Sequence, residues 1–367
     1  MAVAPARAGE GVAEESDPWW PPLVILGEQV GPGESRRLQL VVTETLEGAA
    51  LPLPVIVHRG VAPGPTLCLT AGVHGDEVNG VEVVRRIVEE TDASGLKGTL
   101  VSVPIVNLSA VRRGSRYLPD RRDLNRYFPG RAGGSSASRI AQRFFDNVVR
   151  RCDDLVDLHT GSFHRSNLHQ VRADLRRPGV LNLARGLGAE IVVQSAGRKG
   201  TLRGAAVEAG VPAVTVEAGE PARLSVFEVE KTVDGVLRLM RHLGMLPGGP
   251  ELPSGVSQTI YYRSTWVRAD GGGILVSEVA LGQEVARGET LGTITDPLSS
   301  KRHLLRAPAA GRVIGMAFDQ LVMPGFATIH LAIPGQPMPG DTEVGLHEEA
   351  PDDEAAVPEG DLEERPE

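Results

Sequence analysis

Three short segments carry side chains that could share one chemistry. AGVHGDE supplies His74 and Glu77, DLHTGS supplies His159, and VTVEAGE supplies Glu217. Two imidazoles and one carboxylate are a zinc ligand set. With only three protein ligands the fourth position stays open to water, which separates a catalytic zinc site from a structural one. His74 and Glu77 stand three apart in a glycine-flanked turn, so both can point at one ion. His159 follows 85 residues later at the end of another strand. A single histidine in a chain of this size usually has a structural explanation. Three ligand-type residues at strand ends, with a spare Glu217, are a different matter and predict one zinc ion per chain. Glu217 closes an apolar strand, where a carboxylate is costly unless paired or functional. Beside a water whose pKa zinc has lowered, it would serve as general base and then general acid. Glu220 lies past the glycine and before a proline, and reads as a loop residue.

Between the ligand segments lies NLSAVRRGSRYLPDRRDLNRYFPG, dense in arginine. Arg121 and Arg122 read as a solvated face. Arg126, next to Asn125, reads as a clamp for a substrate carboxylate, which a planar guanidinium grips with two hydrogen bonds. Asp157 shares a strand face with His159 by the two-residue period. It either orients that ligand or forms an ion pair.

The elements that must position these residues alternate. PTLCLTAG, TLVSVPIV, DDLVDLHT, EIVVQS and PAVTVE read as strands. Asp76–Glu90, the stretch marked by Ile140, Phe144 and Val148, and Leu224–Leu243 read as helices. This pattern predicts an α/β domain with a mixed, largely parallel sheet, in which ligands sit at the carboxyl ends of strands. Residues 1–20 are expected to be disordered and 21–245 to form the catalytic domain. The Pro- and Gly-rich stretch 246–258 reads as a linker, 259–336 as a small all-β, barrel-sandwich-like domain, and 337–367 as an acidic disordered tail.

Composition narrows the function. Apolar residues make up 41% and charged residues 23%, as in globular proteins. Aromatic content is only 4%, too low for the stacking platforms of a single-stranded nucleic-acid binder. The net charge of −9 is concentrated at one end: twelve acidic residues and one arginine fall from Asp341 onward, which leaves the body near +2. A nearly neutral body argues against nucleic acid and membrane surfaces as partners. Cys68 and Cys152 are expected to be free thiols in a reducing compartment. No stretch of about 18 apolar residues is present, and the first sixteen residues do not read as a signal peptide. The expected location is the cytoplasm, and homo-oligomerisation stays open.

Taken in order, GVHGDE, DLNRYFPG, DLHTGS and TVEAG resemble the succinylglutamate desuccinylase/aspartoacylase family, which belongs with the zinc carboxypeptidases. The resemblance covers most of 60–335 and lies in the set of motifs together. It implies a zinc-carboxypeptidase-like fold, zinc on His74, Glu77 and His159, and Glu217 as the catalytic carboxylate. It implies Asn125 and Arg126 as the clamp for the carboxylate of a small-molecule substrate. It also implies an arginine upstream of DLNR that polarises the scissile carbonyl, for which Arg116 is the best match and Arg113 the alternative. The C-terminal β-module resembles the family's second domain, which can overhang the active site. It also resembles a biotinyl or lipoyl carrier, but Lys301 in PLSSKR lacks the methionine flank of a carrier lysine, so a lid or packing role is preferred. The implied activity is zinc-dependent hydrolysis of the amide bond of a small N-acyl amino acid. The alternatives are a zinc carboxypeptidase acting on peptides and a non-catalytic carboxylate-binding relative.

Overall fold

The computed structural model describes residues 20–44, 48–249 and 257–335. The expected disordered N-terminus, most of the expected linker and the acidic tail lie outside these residues.

The centre of the fold is parallel. Strands Ala213–Gly219, Asp154–His159, Ala62–Thr70 and Lys97–Val103 run side by side in one direction. Burial is nearly continuous in three of them and over the last four residues of Ala62–Thr70, as expected for strands covered on both faces. Helix Val78–Glu90 turns Val83, Val84 and Ile87 inward, and helix Val226–His242 does the same with Val229, Val233, Val236 and Met240. These two helices pack with Leu67, Leu69, Val156 and Val214 on one side of the sheet. On the other side, Ile140, Phe144 and Phe145 of helix Ser136–Asn147 close a second core over Val55, Val101 and Leu155.

The sheet is mixed, as expected, but the expectation that it is largely parallel needs correction. Among the described residues it has thirteen strands, and antiparallel pairings flank its parallel centre. At one side, Ser35–Glu44 pairs with Ala50–Arg59, which pairs antiparallel with Lys97–Val103. At the other, Arg165–Ala173 runs antiparallel to Ala213–Gly219. The sheet then continues into C-terminal sequence. Gly311–Ala317 pairs antiparallel with Arg165–Ala173, followed by Ala327–Ile333 and Arg263–Arg268. The alternation of strand and helix describes only the middle of the chain. The hairpin before it, strand Arg165–Ala173 within it and the β-rich segment after it contribute the antiparallel pairings.

The C-terminal strands also build a core of their own. A four-stranded sheet of Arg302–Arg306, Thr290–Thr295, Gly273–Ser277 and Leu321–Val322 contributes Leu275, Leu291, Ile294, Leu305 and Val322. Val267, Val313, Ile329 and Leu331 of the large sheet complete this small sandwich.

The cysteine expectation is overturned. Cys68 and Cys152 form a disulfide, with Cα atoms 5.7 Å apart. Cys68 lies within strand Ala62–Thr70, and Cys152 lies two residues before the neighbouring strand Asp154–His159, so the parallel pairing brings two distant positions together. The pairing removes the free-thiol argument for a reducing compartment. Among the described residues no helix is long and apolar enough to cross a membrane.

Candidate metal and active site

The three expected ligands meet. His74 follows strand Ala62–Thr70, Glu77 is the N-cap of helix Val78–Glu90, and His159 is the last residue of strand Asp154–His159. One ligand atom from each lies within 4.8 Å of the others, and all three side chains are buried. An N-cap side chain normally accepts a hydrogen bond from the first turn of its helix. Glu77 makes none there. Its carboxylate instead lies 2.7 Å from His74 Nδ1 and 2.8 Å from His159 Nδ1, and it accepts from the Thr160 N–H at 3.2 Å. Gly75, between the ligands, is required by close packing, since a Cβ there would overlap the backbone of Ala110.

The outer partners decide which ring atoms face the centre. His74 Nε2 meets Asp123 Oδ1 at 3.1 Å, and His159 Nε2 meets Asp157 Oδ2 at 2.7 Å. Asp157 is itself held by the Thr70 hydroxyl at 2.7 Å. With the Nε2 protons directed to carboxylates, both Nδ1 lone pairs turn toward the oxygens of Glu77. Acceptor atoms facing one another at these distances repel unless positive charge stands between them. The site's electrostatics make the same demand. Burial opposes charge on His159, but Asp157 and Glu77 outweigh it and hold its pKa well above the ordinary value, so that without a cation a second proton on Nδ1 would supply the positive charge. Burial would also favour neutral Glu77, yet His74 and His159 hold its pKa far below the usual carboxylate range. A divalent cation among the two Nδ1 atoms and Glu77 meets this demand, and carboxylates behind the ligating imidazoles are the usual outer support of such a centre. The residues therefore fit a metal ion.

Strand register places the spare carboxylate. Glu217 stands directly across from His159 in the parallel pair, and Thr215 across from Asp157. Glu217 accepts from Asn167 Nδ2 at 3.0 Å and pairs with Arg172 at 3.4 Å. Its competitor Glu220 bonds Arg223, off the cavity.

Arg116 and Arg113 separate cleanly. Arg113 is exposed. Arg116 is 7% exposed, lies 3.4 Å from Glu77 Oε1, and donates to Asp123 Oδ2 at 2.8 Å. Asn125 and Arg126 line the same cavity as the ligands. The Asn125 side-chain oxygen accepts from the Leu202 N–H at 2.7 Å, at the start of helix Leu202–Glu208, while Arg126 donates to the Asn125 carbonyl at 2.9 Å. Arg121 is exposed, as expected.

Several contributors escaped the sequence reading. Asp123 lies inside the DLNR motif and joins His74 to Arg116, but an aspartate in a charged run carries no signal of its own. Asn167, Arg172, Trp266 and His330 also line the cavity. They come from antiparallel strands whose pairing no local pattern announces.

Comparison with known proteins agrees with this architecture. The family model for the succinylglutamate desuccinylase/aspartoacylase catalytic domain matches residues 63–243. The N-alpha-acetyl-L-2,4-diaminobutyric acid deacetylase of Halomonas elongata is 28% identical over 274 residues, covering 71% of this chain and 78% of that protein. A succinylglutamate desuccinylase of Pseudomonas aeruginosa is 36% identical over 107 residues, 26% of this chain and 31% of its own length. Among solved structures, the product-bound ectoine utilization protein EutE (DoeB) of Ruegeria pomeroyi superposes with a TM-score of 0.74 at 26% identity, covering 82% of this chain and 95% of that one. A succinylglutamate desuccinylase/aspartoacylase of Rhodobacter sphaeroides gives 0.72 at 25% identity, covering 81% and 94%. With the motif order, the strand topology and these matches in agreement, the chain belongs to the succinylglutamate desuccinylase/aspartoacylase family.

Proposed function

We propose that the protein is a zinc-dependent hydrolase that cleaves the amide bond of a small N-acyl amino acid. The observation that carries this reading is the register of Glu217 beside His159, next to a ligand cluster whose outer partners turn both Nδ1 atoms inward. The deacylase names of the relatives point the same way. Zinc held by His74, Glu77 and His159 would supply Lewis acidity, polarising the carbonyl and making water a nucleophile near neutral pH.

The chain's own groups do the rest. Glu217 takes the proton from the attacking water and returns it to the leaving amine, so the nitrogen departs neutral. Arg116 lies against the ligand cluster and stabilises the oxyanion that forms as water adds to the carbonyl. Asn125 and Arg126 hold the substrate carboxylate and so bring the carbonyl to the reacting centre. Walls contributed by Ser264, Trp266 and His330 favour a short substrate over an extended peptide.

The test is a hydrolysis screen of N-acetylaspartate, N-succinylglutamate and Nα-acetyl-2,4-diaminobutyrate with metal-free and zinc-loaded protein. Zinc-dependent release of free amine is expected for at least one of them. No release from any N-acyl amino acid by zinc-loaded protein would overturn the reading.

The position of Asn167 gives a second expected result. Gly315 stands across from Asn167 in the sheet, and a Cβ on it would come to 2.7 Å from Asn167 Oδ1. Gly315→Ala should push Asn167 off Glu217 and lower kcat/KM by about tenfold to a hundredfold, as small misplacements of reacting groups do. Zinc content should stay at the wild-type level.

A further inference from the structure

The C-terminal strands bring a hydrogen-bond donor to the cavity. His330, on strand Ala327–Ile333, stands across from Trp266, on strand Arg263–Arg268. Their rings stack, with centroids 4.5 Å apart and planes 8° from parallel. Both side chains line the cavity that holds Glu217 and the ligand cluster. His330 is 5% exposed, and its Nδ1 is enclosed without a hydrogen-bond partner among the described residues. Burial, and then the positive charge of Arg172, hold its pKa well below the ordinary value, so the ring is neutral.

A neutral imidazole carries a single proton. An enclosed N–H without an acceptor is a rarer and costlier defect than an enclosed lone pair. The proton therefore sits on Nε2, and the flat stack against Trp266 fixes where that N–H points. A neutral, aimed donor on the wall of a cavity rich in arginine suits an oxygen acceptor and discriminates against a cationic group.

We infer that His330 is a substrate-binding residue whose Nε2–H donates to an oxygen of the bound acyl amino acid, with Trp266 holding the ring in place. The inference rests on the hydrolase reading for what occupies the cavity. It assigns part of substrate selection to sequence outside the stretch 63–243 that matches the catalytic-domain family.

The oxygen belongs either to the acyl half or to the amino-acid half, and the halves can be offered separately. Binding of succinate and of L-glutamate to zinc-loaded protein is measured by calorimetry for wild type, His330→Leu and His330→Gln. Leucine keeps the volume and removes the donor, whereas glutamine places a neutral N–H near the position of Nε2. The Leu variant is expected to bind one of the two probes about tenfold more weakly, the order lost with a single hydrogen bond. The Gln variant should stay within about threefold of wild type on that probe, and the affected probe identifies the half contacted. Thermal melts and zinc content should match wild type in both variants. Equal binding by Leu and wild type, equal weakening in Leu and Gln, or no binding of either probe by wild type would overturn the inference. Wild-type protein that binds with this dependence on His330 yet hydrolyses no N-acyl amino acid would sink the hydrolase reading alone.

Discussion

Glu217→Gln is expected to leave zinc bound and lower kcat by a hundredfold to about ten-thousandfold, the range that general acid–base catalysis contributes. The two side chains are nearly isosteric. Glutamine can still meet the Asn167 amide, now through its oxygen, and the pairing of its strand with Asp154–His159 does not involve the side chain. What disappears is the group that accepts a proton from water and delivers one to the amine. Zinc content by elemental analysis and kcat on the best substrate from the screen measure the two effects separately. Turnover within tenfold of wild type would show that another residue moves the proton. Loss of zinc with turnover would show that Glu217 belongs to the ligand set.

His159→Ala should act on the other half of the site. Removing one of three ligands is expected to weaken zinc binding by more than about a hundredfold, beyond the losses that follow from changing outer partners alone. Activity should fall with metal occupancy. Stability should fall as well, because Asp157 is 1% exposed and would keep only Thr70 of its two side-chain partners. A buried carboxylate stripped of its partner costs about 3–5 kcal/mol. Elemental analysis, activity titrated against added zinc, and a denaturant melt test the three consequences. Wild-type zinc affinity in this variant would dismantle the proposed centre.

The two variants probe the parts of the molecule that were plainest in the sequence. That His74, Glu77, His159 and Glu217 gather at one cavity is legible because metal and proton chemistry accept few residue types, and a charged group at the end of an apolar strand is conspicuous. The choice between Arg116 and Arg113 is not, since both sit in one arginine-rich loop and only the folded chain shows which is buried against Glu77. Asp123 is invisible for a similar reason: its role exists only once His74 and Arg116 converge on it. The parallel centre of the sheet follows from alternating strands and helices. Its antiparallel flanks join segments as distant as Asn167 and Gly315, and hydrophobic periodicity says nothing about partners that far apart. The disulfide was missed on the same ground. Cys68 and Cys152 are separated by 84 residues and become neighbours only through the order of strands.

One feature of the sheet bears on how substrate gets in and out. The C-terminal segment is joined to the rest by a backbone ladder between Arg165–Ala173 and Gly311–Ala317, reinforced by hydrogen bonds from Arg165 to the Ala327 carbonyl and from Gln170 to the Ile314 carbonyl. A clamshell motion would have to break this ladder and the side-chain bonds that reinforce it. On the proposed activity, larger acyl groups would then be admitted by trimming side chains at the cavity rim rather than by loosening this joint.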